Sequence, residues 1–211
     1  MTPNKINSGN MDALREVFSI GAGHASGALS EMTGKKITVA FPSVKAYKIE
    51  DITYLFGAPE TLVATVFLNI DGVFEEKKGS MSVGNFILMF EKDVAANFSS
   101  LIQKKKEVEL DLMALDSLKE TGNILSGSCL NAISEFLDFK LIESLPRAKV
   151  DMLGSTLDSF LATFAGDVDK VLLFRTSFLI ESKNIESYLF LLFDPEVLTH
   201  IVKKIQKIQN D

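Results

Sequence analysis

The sequence predicts an α+β fold built from a helix-strand-strand-strand-helix unit that occurs twice, with pseudo-twofold symmetry and an antiparallel sheet covered by helices. Three observations carry this expectation. Asp12, Glu16 and Ser19 recur as Asp116, Glu120 and Asn123 at an offset of 104 residues, and self-similarity at a fixed offset marks a repeated unit. Ser19 to Pro42 and Asn123 to Pro146 are equal steps of 23 residues. Each half alone is also too thin to bury both faces of its strands, so the two should associate. The expected organisation is a single domain over residues 1–211, with repeats at roughly 11–104 and 113–208.

A chain of 211 residues can bury a sufficient core without disulfides. Apolar residues make up 46% and charged residues 24%, which argues against disordered and membrane-embedded classes. The formal charge of −6 lacks the basic footprint of a nucleic-acid binder. Cys129 is the single cysteine, so no internal disulfide can form and a reducing compartment is expected. There is neither an apolar run of about eighteen residues nor a basic-plus-apolar leader. A cytoplasmic protein without membrane insertion is the expectation.

In chain order, residues 1–10 are polar and read as a lead-in that frays. A helix is expected from Asp12 to Met32, ended by Thr33-Gly34, where glycine can take the left-handed cap. Ile37 to Phe41 reads as a strand closed by Pro42. Leu62 to Ile70 is extended, Asp71-Gly72 gives a turn signal, and Ser80 to Phe90 follows as the second arm of a hairpin. Asp93 to Lys104 has helical periodicity with Val94, Phe98, Leu101 and Ile102 inward, and Lys104-Lys105-Lys106-Glu107 reads as its solvated end. In the second half, strands at Lys140–Leu145, Val171–Ile180 and Tyr188–Phe193 answer those of the first. A last helix runs from Pro195 to Ile208, with proline suited to its first turn.

The chemistry concentrates between Leu115 and Gly127. Asp116, Glu120, Asn123 and Gly127 follow one another by three or four residues and so share one helical stripe. Leu115, Leu118, Leu125, Cys129, Ile133 and Phe136 occupy the far side, as in a surface helix held by an apolar face. A single polar stripe would be read as a solvated face. Its repetition changes that reading, because surface charges can be replaced at little cost and have no reason to recur. Gly23 and Gly127 accompany the two stripes, and a helix-interior glycine costs about 1 kcal/mol relative to alanine, so something should approach closely there.

Other motifs carry less. Gly21-Ala22-Gly23-His24 with Gly27 has its third glycine one residue late for a dinucleotide fingerprint, and no strand precedes it. His24 and His200 lack acid or thiol partners at ligand spacing, and no metal site of the chain's own is expected. Cys129 reads as a buried small hydrophobe, and the 16 phenylalanines as core.

Asp116-x3-Glu120-x2-Asn123, with Gly122-Asn123-Ile124 in the helix and Pro146 downstream, resembles the signature of the CheC/CheX/FliY family of chemotaxis phosphatases. The doubled layout over nearly the whole chain is similar to the CheC branch. The resemblance implies dephosphorylation of a phosphorylated CheY-like response regulator, with Mg²⁺ bound by that regulator, no cofactor in this chain, and CheD as a possible second partner.

The side chains suit such a reaction independently of the name. An aspartyl phosphate is already activated, so an attacking water needs orientation more than a strong base. The carboxamide of Asn123 offers an acceptor and a donor without basicity. Catalysis is therefore expected from Asn123 together with Glu120, which the resemblance pairs with the regulator's active-site lysine. Asp116 and Gly127 would frame the binding surface. In the first half Ser19 replaces the amide, and its shorter hydroxyl can turn back to the carbonyl one turn earlier. Asp12, Glu16 and Ser19 are thus expected to form a degenerate site, weak or silent, which either still binds a regulator through Glu16 or serves only the fold. The rival from another class is a weakly catalytic or non-catalytic adaptor for phosphorylated CheY or for CheD.

Overall fold

The structure is a computed structural model that describes residues 8–48, 51, 58–73, 80–106, 109–138, 140–164 and 170–210. Of the expected lead-in at 1–10, residues 1–7 lie outside the described residues, and 8–10 do not fray but are helical. The order is α1 (Ser8–Thr33), β1 (Ile37–Lys48), β2 (Leu62–Val73), β3 (Ser80–Glu91), α2 (Lys92–Gln103), α3 (Leu112–Leu137), β4 (Lys140–Glu143), β5 (Arg147–Met152), α4 (Leu153–Phe164), β6 (Lys170–Ile180), β7 (Lys183–Phe193) and α5 (Pro195–Asn210). The fold is α+β, as expected.

One antiparallel sheet takes the order β1-β6-β7-β3-β2-β4, with β5 also pairing β2. Read from either edge the order has the same form, once β1 is matched with β4 and β5, β6 with β2, and β7 with β3. The registers agree: Lys45 meets Leu173 as Lys149 meets Thr65, and Ile37 meets Ile180 as Leu141 meets Gly72. A hydroxyl joins helix to edge strand in both halves, because Ile37 N–H donates to Ser30 Oγ at 2.9 Å and Leu141 N–H donates to Ser134 Oγ at 3.0 Å. Each edge strand therefore pairs with a strand of the other half, which makes the sheet one body rather than two.

Helices α1, α2, α3 and α5 share one apolar core with one face of the sheet. Two phenylalanine triads pin that face. Phe18, Phe41 and Phe174 have ring centroids 4.2–5.7 Å apart and tie α1 to β1 and β6. Phe90, Phe98 and Phe178, at 5.0–5.9 Å, tie α2 to β3 and β6. All are buried, and each contributes about 1.5–3 kcal/mol relative to exposure. On the opposite face, α4 lays Leu153 and Leu157 beside Val63, Ile87, Met89, Val171, Phe190 and Leu192.

Three expectations need correction. β1 does not stop at Pro42 but runs on to Lys48, with its register shifting between Ala40 and Ser43; at such an irregularity the missing proline N–H costs the ladder little. Pro146 has the stronger effect and separates β4 from β5. Asp71-Gly72 is not a turn: both residues pair within β2, just after a register shift at Ile70/Asp71. Finally, β5 and α4 were not expected. The Gly/Ser/Thr-rich start of α4 has weak helix propensity, and tertiary bonds hold it: Leu153 N–H donates to Thr61 O and Gly154 N–H to Pro59 O, both at 2.8 Å.

Candidate active site

Helix α3 is 26 residues long, about 39 Å at 1.5 Å per residue. The Asp111 carboxylate caps its start by accepting from Ala114 N–H at 2.8 Å, which satisfies one orphan donor. Leu118, Leu125, Cys129 and Ile133 are buried and Leu115 and Phe136 partly so, as the apolar stripe requires. The chemistry is set by how closely the helix approaches its neighbours. A Cβ at Gly122 would lie 2.7 Å from Val66 Cγ1 of β2, so only glycine lets α3 settle there. A Cβ at Gly21 would lie 2.7 Å from Cys129 Cα, which makes Gly21 the crossing point of α1 and α3. The glycine beside the amide thus seats the backbone that carries Asn123.

Asn123 is partly buried, and its carboxamide makes no hydrogen bond to any of the described residues. Its backbone oxygen accepts from Ser126 Oγ at 3.0 Å. Glu120 is exposed and without an ion pair among the described residues. Asp116 is also exposed, but Lys119 pairs with it at 2.5 Å, an i,i+3 neighbour of the kind that helices favour. Of the three polar side chains on the stripe, the two nearest its middle are available to a visitor and the third is engaged.

The glycines of the stripes differ from one another. None of the described residues lies within 4 Å of a Cβ built on Gly23, whereas one on Gly127 would meet Glu143 Oε1 at 2.8 Å. The close approach expected at Gly127 therefore comes from the chain's own β4. Glu143 escaped the sequence reading because only the seating of β4 beside α3 brings it to the stripe. The pairing of Asp116 with Lys119 had a legible signal in its spacing.

On α1, Asp12, Glu16 and Ser19 are all exposed. The Ser19 hydroxyl donates to Arg15 O at 2.7 Å, the backward bond that its length suggested. Glu16 has no ion pair among the described residues, so it remains available as a lone carboxylate.

The remaining candidates behave as core or surface. Cys129 is fully buried, and burial pushes its thiol well above the ordinary range, which removes it as a nucleophile. His24 is exposed. Lys104 takes the left-handed cap of α2 at φ 58°, and Lys104, Lys105 and Lys106 are exposed, as a solvated helix end should be. No described helix is long and apolar enough to cross a membrane.

Comparison with known proteins bears on this geometry. A profile described as the CheC-like family matches residues 113–148, the span of α3, β4 and the first residues of β5. The CheY-P phosphatase CheC of Bacillus subtilis (strain 168) is 30% identical over 200 residues, covering 90% of this chain and 91% of that protein. Among solved structures, FliY of Thermotoga maritima superposes with a TM-score of 0.73 at 20% identity, covering 96% of this chain and 98% of the other. The FliM middle domain of H. pylori gives 0.58 at 10% identity, covering 94% and 99%. These two share the fold. With the matched span containing Glu120 and Asn123, and a relative 30% identical along nearly its full length, the chain belongs to the CheC-like family.

Proposed function

We propose that this protein hydrolyses the aspartyl phosphate of a CheY-like response regulator, and that α3 carries the working site. The observation that supports this most strongly is the Asn123 carboxamide, partly buried yet bonded to nothing among the described residues, on a helix held against the sheet at the preceding glycine. An amide on a backbone held in this way can accept a hydrogen bond from a water through Oδ1 and orient it in line with phosphorus. Water oxygen then bonds to phosphorus as the acyl P–O bond breaks, releasing inorganic phosphate and the regulator's carboxylate. Positioning of this kind is the main lever available to a protein in phosphoryl transfer.

Glu120, one turn away, binds a cation of the regulator in this reading and aligns the two proteins. The Mg²⁺ of the reaction is held by the regulator, and this chain supplies the amide and the docking carboxylate. The B. subtilis relative, a CheY-P phosphatase by name, supports the assignment. The stripe on α1 is the non-catalytic counterpart, since Ser19 spends its hydroxyl on Arg15 O while Glu16 stays available to dock. That bond favours an adaptor role for α1 alone. In this reading the doubled unit gives one molecule with one chemical face and one binding face.

A phosphate-release assay on labelled regulator tests the proposal. Asn123→Ala should lose about a hundredfold in rate, the usual size for one oriented hydrogen-bonding group, while regulator binding is retained. Unchanged turnover in that variant would remove the mechanism.

A further inference from the structure

The stripe on α3 contains an element that its own helix does not supply. Glu143, the last residue of β4, is partly buried and pairs in register with Ile70. Its carboxylate occupies the space over Gly127, with Oε1 2.8 Å and Cδ 3.8 Å from where a Cβ would stand. Gly127 lies four residues beyond Asn123, and helix neighbours at that spacing have Cβ atoms about 6 Å apart. Glu143 makes no hydrogen bond or ion pair among the described residues, so nothing within the fold accounts for its charge there. Asn123 is therefore bracketed by two unpaired carboxylates, Glu120 one turn before it and Glu143 one turn after.

We infer that Glu143 is a second positioning carboxylate of the site, which receives a cation on the rim of the phosphorylated regulator and so fixes the regulator's orientation over Asn123. The inference rests on the function proposed above. Two bare carboxylates would repel a naked phosphoryl group, so the arrangement suits a phosphate presented within a cation-rich pocket of another protein. The first half supports the point by contrast. The residue 104 positions before Glu143 is Val39, which is buried, and the space over Gly23 is open; the extra acid accompanies the amide and is absent beside the serine.

The test uses the full chain with phosphorylated regulator, and in parallel the regulator held by beryllofluoride and Mg²⁺ for direct binding at two ionic strengths. Glu143→Gln should raise KM about fivefold with kcat within twofold. It should also flatten the salt dependence of binding, since a rim charge acts on encounter, and leave the unfolding temperature unchanged. Gly127→Ala should shift KM in the same direction, because its methyl displaces the end of a flexible side chain. The two changes together should do no more than Glu143→Gln alone, as expected for two routes to one effect. Unchanged KM and salt dependence in Glu143→Gln would overturn the inference, as would a fall in kcat at constant KM. If the wild-type chain hydrolyses nothing, the function proposed above fails, and the binding arm still decides on Glu143.

Discussion

Helices α1 and α3 are each 26 residues long, cross at Gly21 and Cys129, and carry acidic stripes of matching spacing, yet they present different chemistry. On α3 the position one turn after the glutamate is an amide with no partner among the described residues; on α1 it is a serine whose hydroxyl is already bonded to Arg15 O at 2.7 Å. On α3 the following glycine is covered by a carboxylate from β4, and on α1 the space above it is open. The exposed neighbour differs as well: Ile20 beside Ser19 is 56% exposed, while Ile124 beside Asn123 is partly buried against the core. On the function proposed above, the comparison teaches that a scaffold for docking can be kept while the one group proposed to orient a water is lost. A carboxylate works by charge at a distance, whereas a water-orienting group must reach.

Gly21 and Gly23 of α1 offer the largest test of this contrast. Gly21→Ala places a methyl against the Cys129 backbone, where neither helix can yield, and should cost about 1–3 kcal/mol by overpacking. Alkylation of Cys129, a thiol kept inert by burial, should then accelerate in step with the loss. Gly23→Ala meets nothing and should gain about 1 kcal/mol in denaturant unfolding. Equal effects at the two positions would contradict the crossing geometry.

Next in size are the carboxylates proposed to dock the regulator. Glu120→Lys should raise KM for the phosphorylated regulator about tenfold, as like-charge juxtaposition at an interface does. Glu16→Lys should leave KM nearly unchanged while removing any second regulator from the stoichiometry of binding. Were Glu16→Lys the more damaging of the two, the roles of the helices would be reversed. The smallest effect belongs to Ser19→Asn, which should raise phosphate release at most about twofold, the amount that a second site of equal rate would add. A greater increase would mean that α3 is not the better scaffold.

Much of this was legible in the sequence, and the limits have identifiable causes. The α3 stripe and its apolar back were readable because helical spacing fixes which side chains share a face. The backward bond of Ser19 followed from the length of a hydroxyl. β1 beyond Pro42 was not readable, because proline ends a strand only where its N–H is needed, and at the shift between Ala40 and Ser43 it is not. β5 and α4 owe their form to partners distant in sequence, Thr65 and Val66 of β2 and the backbone at Pro59 and Thr61. Strand order was similarly hidden, since each edge strand pairs across to the other half. Glu143 shows the same limit at the site itself: a lone acid at a strand end acquires meaning only when the strand is seated beside Gly127.

The central claim is that the amide of Asn123, and not the acidic stripe around it, performs the chemistry. Asn123→Ser gives α3 the same residue that α1 carries, and the direct measurement is single-turnover decay of the regulator's aspartyl phosphate in the presence of excess variant. The account predicts decay slowed about a hundredfold from wild type with complex formation intact. Decay at the wild-type rate would contradict it.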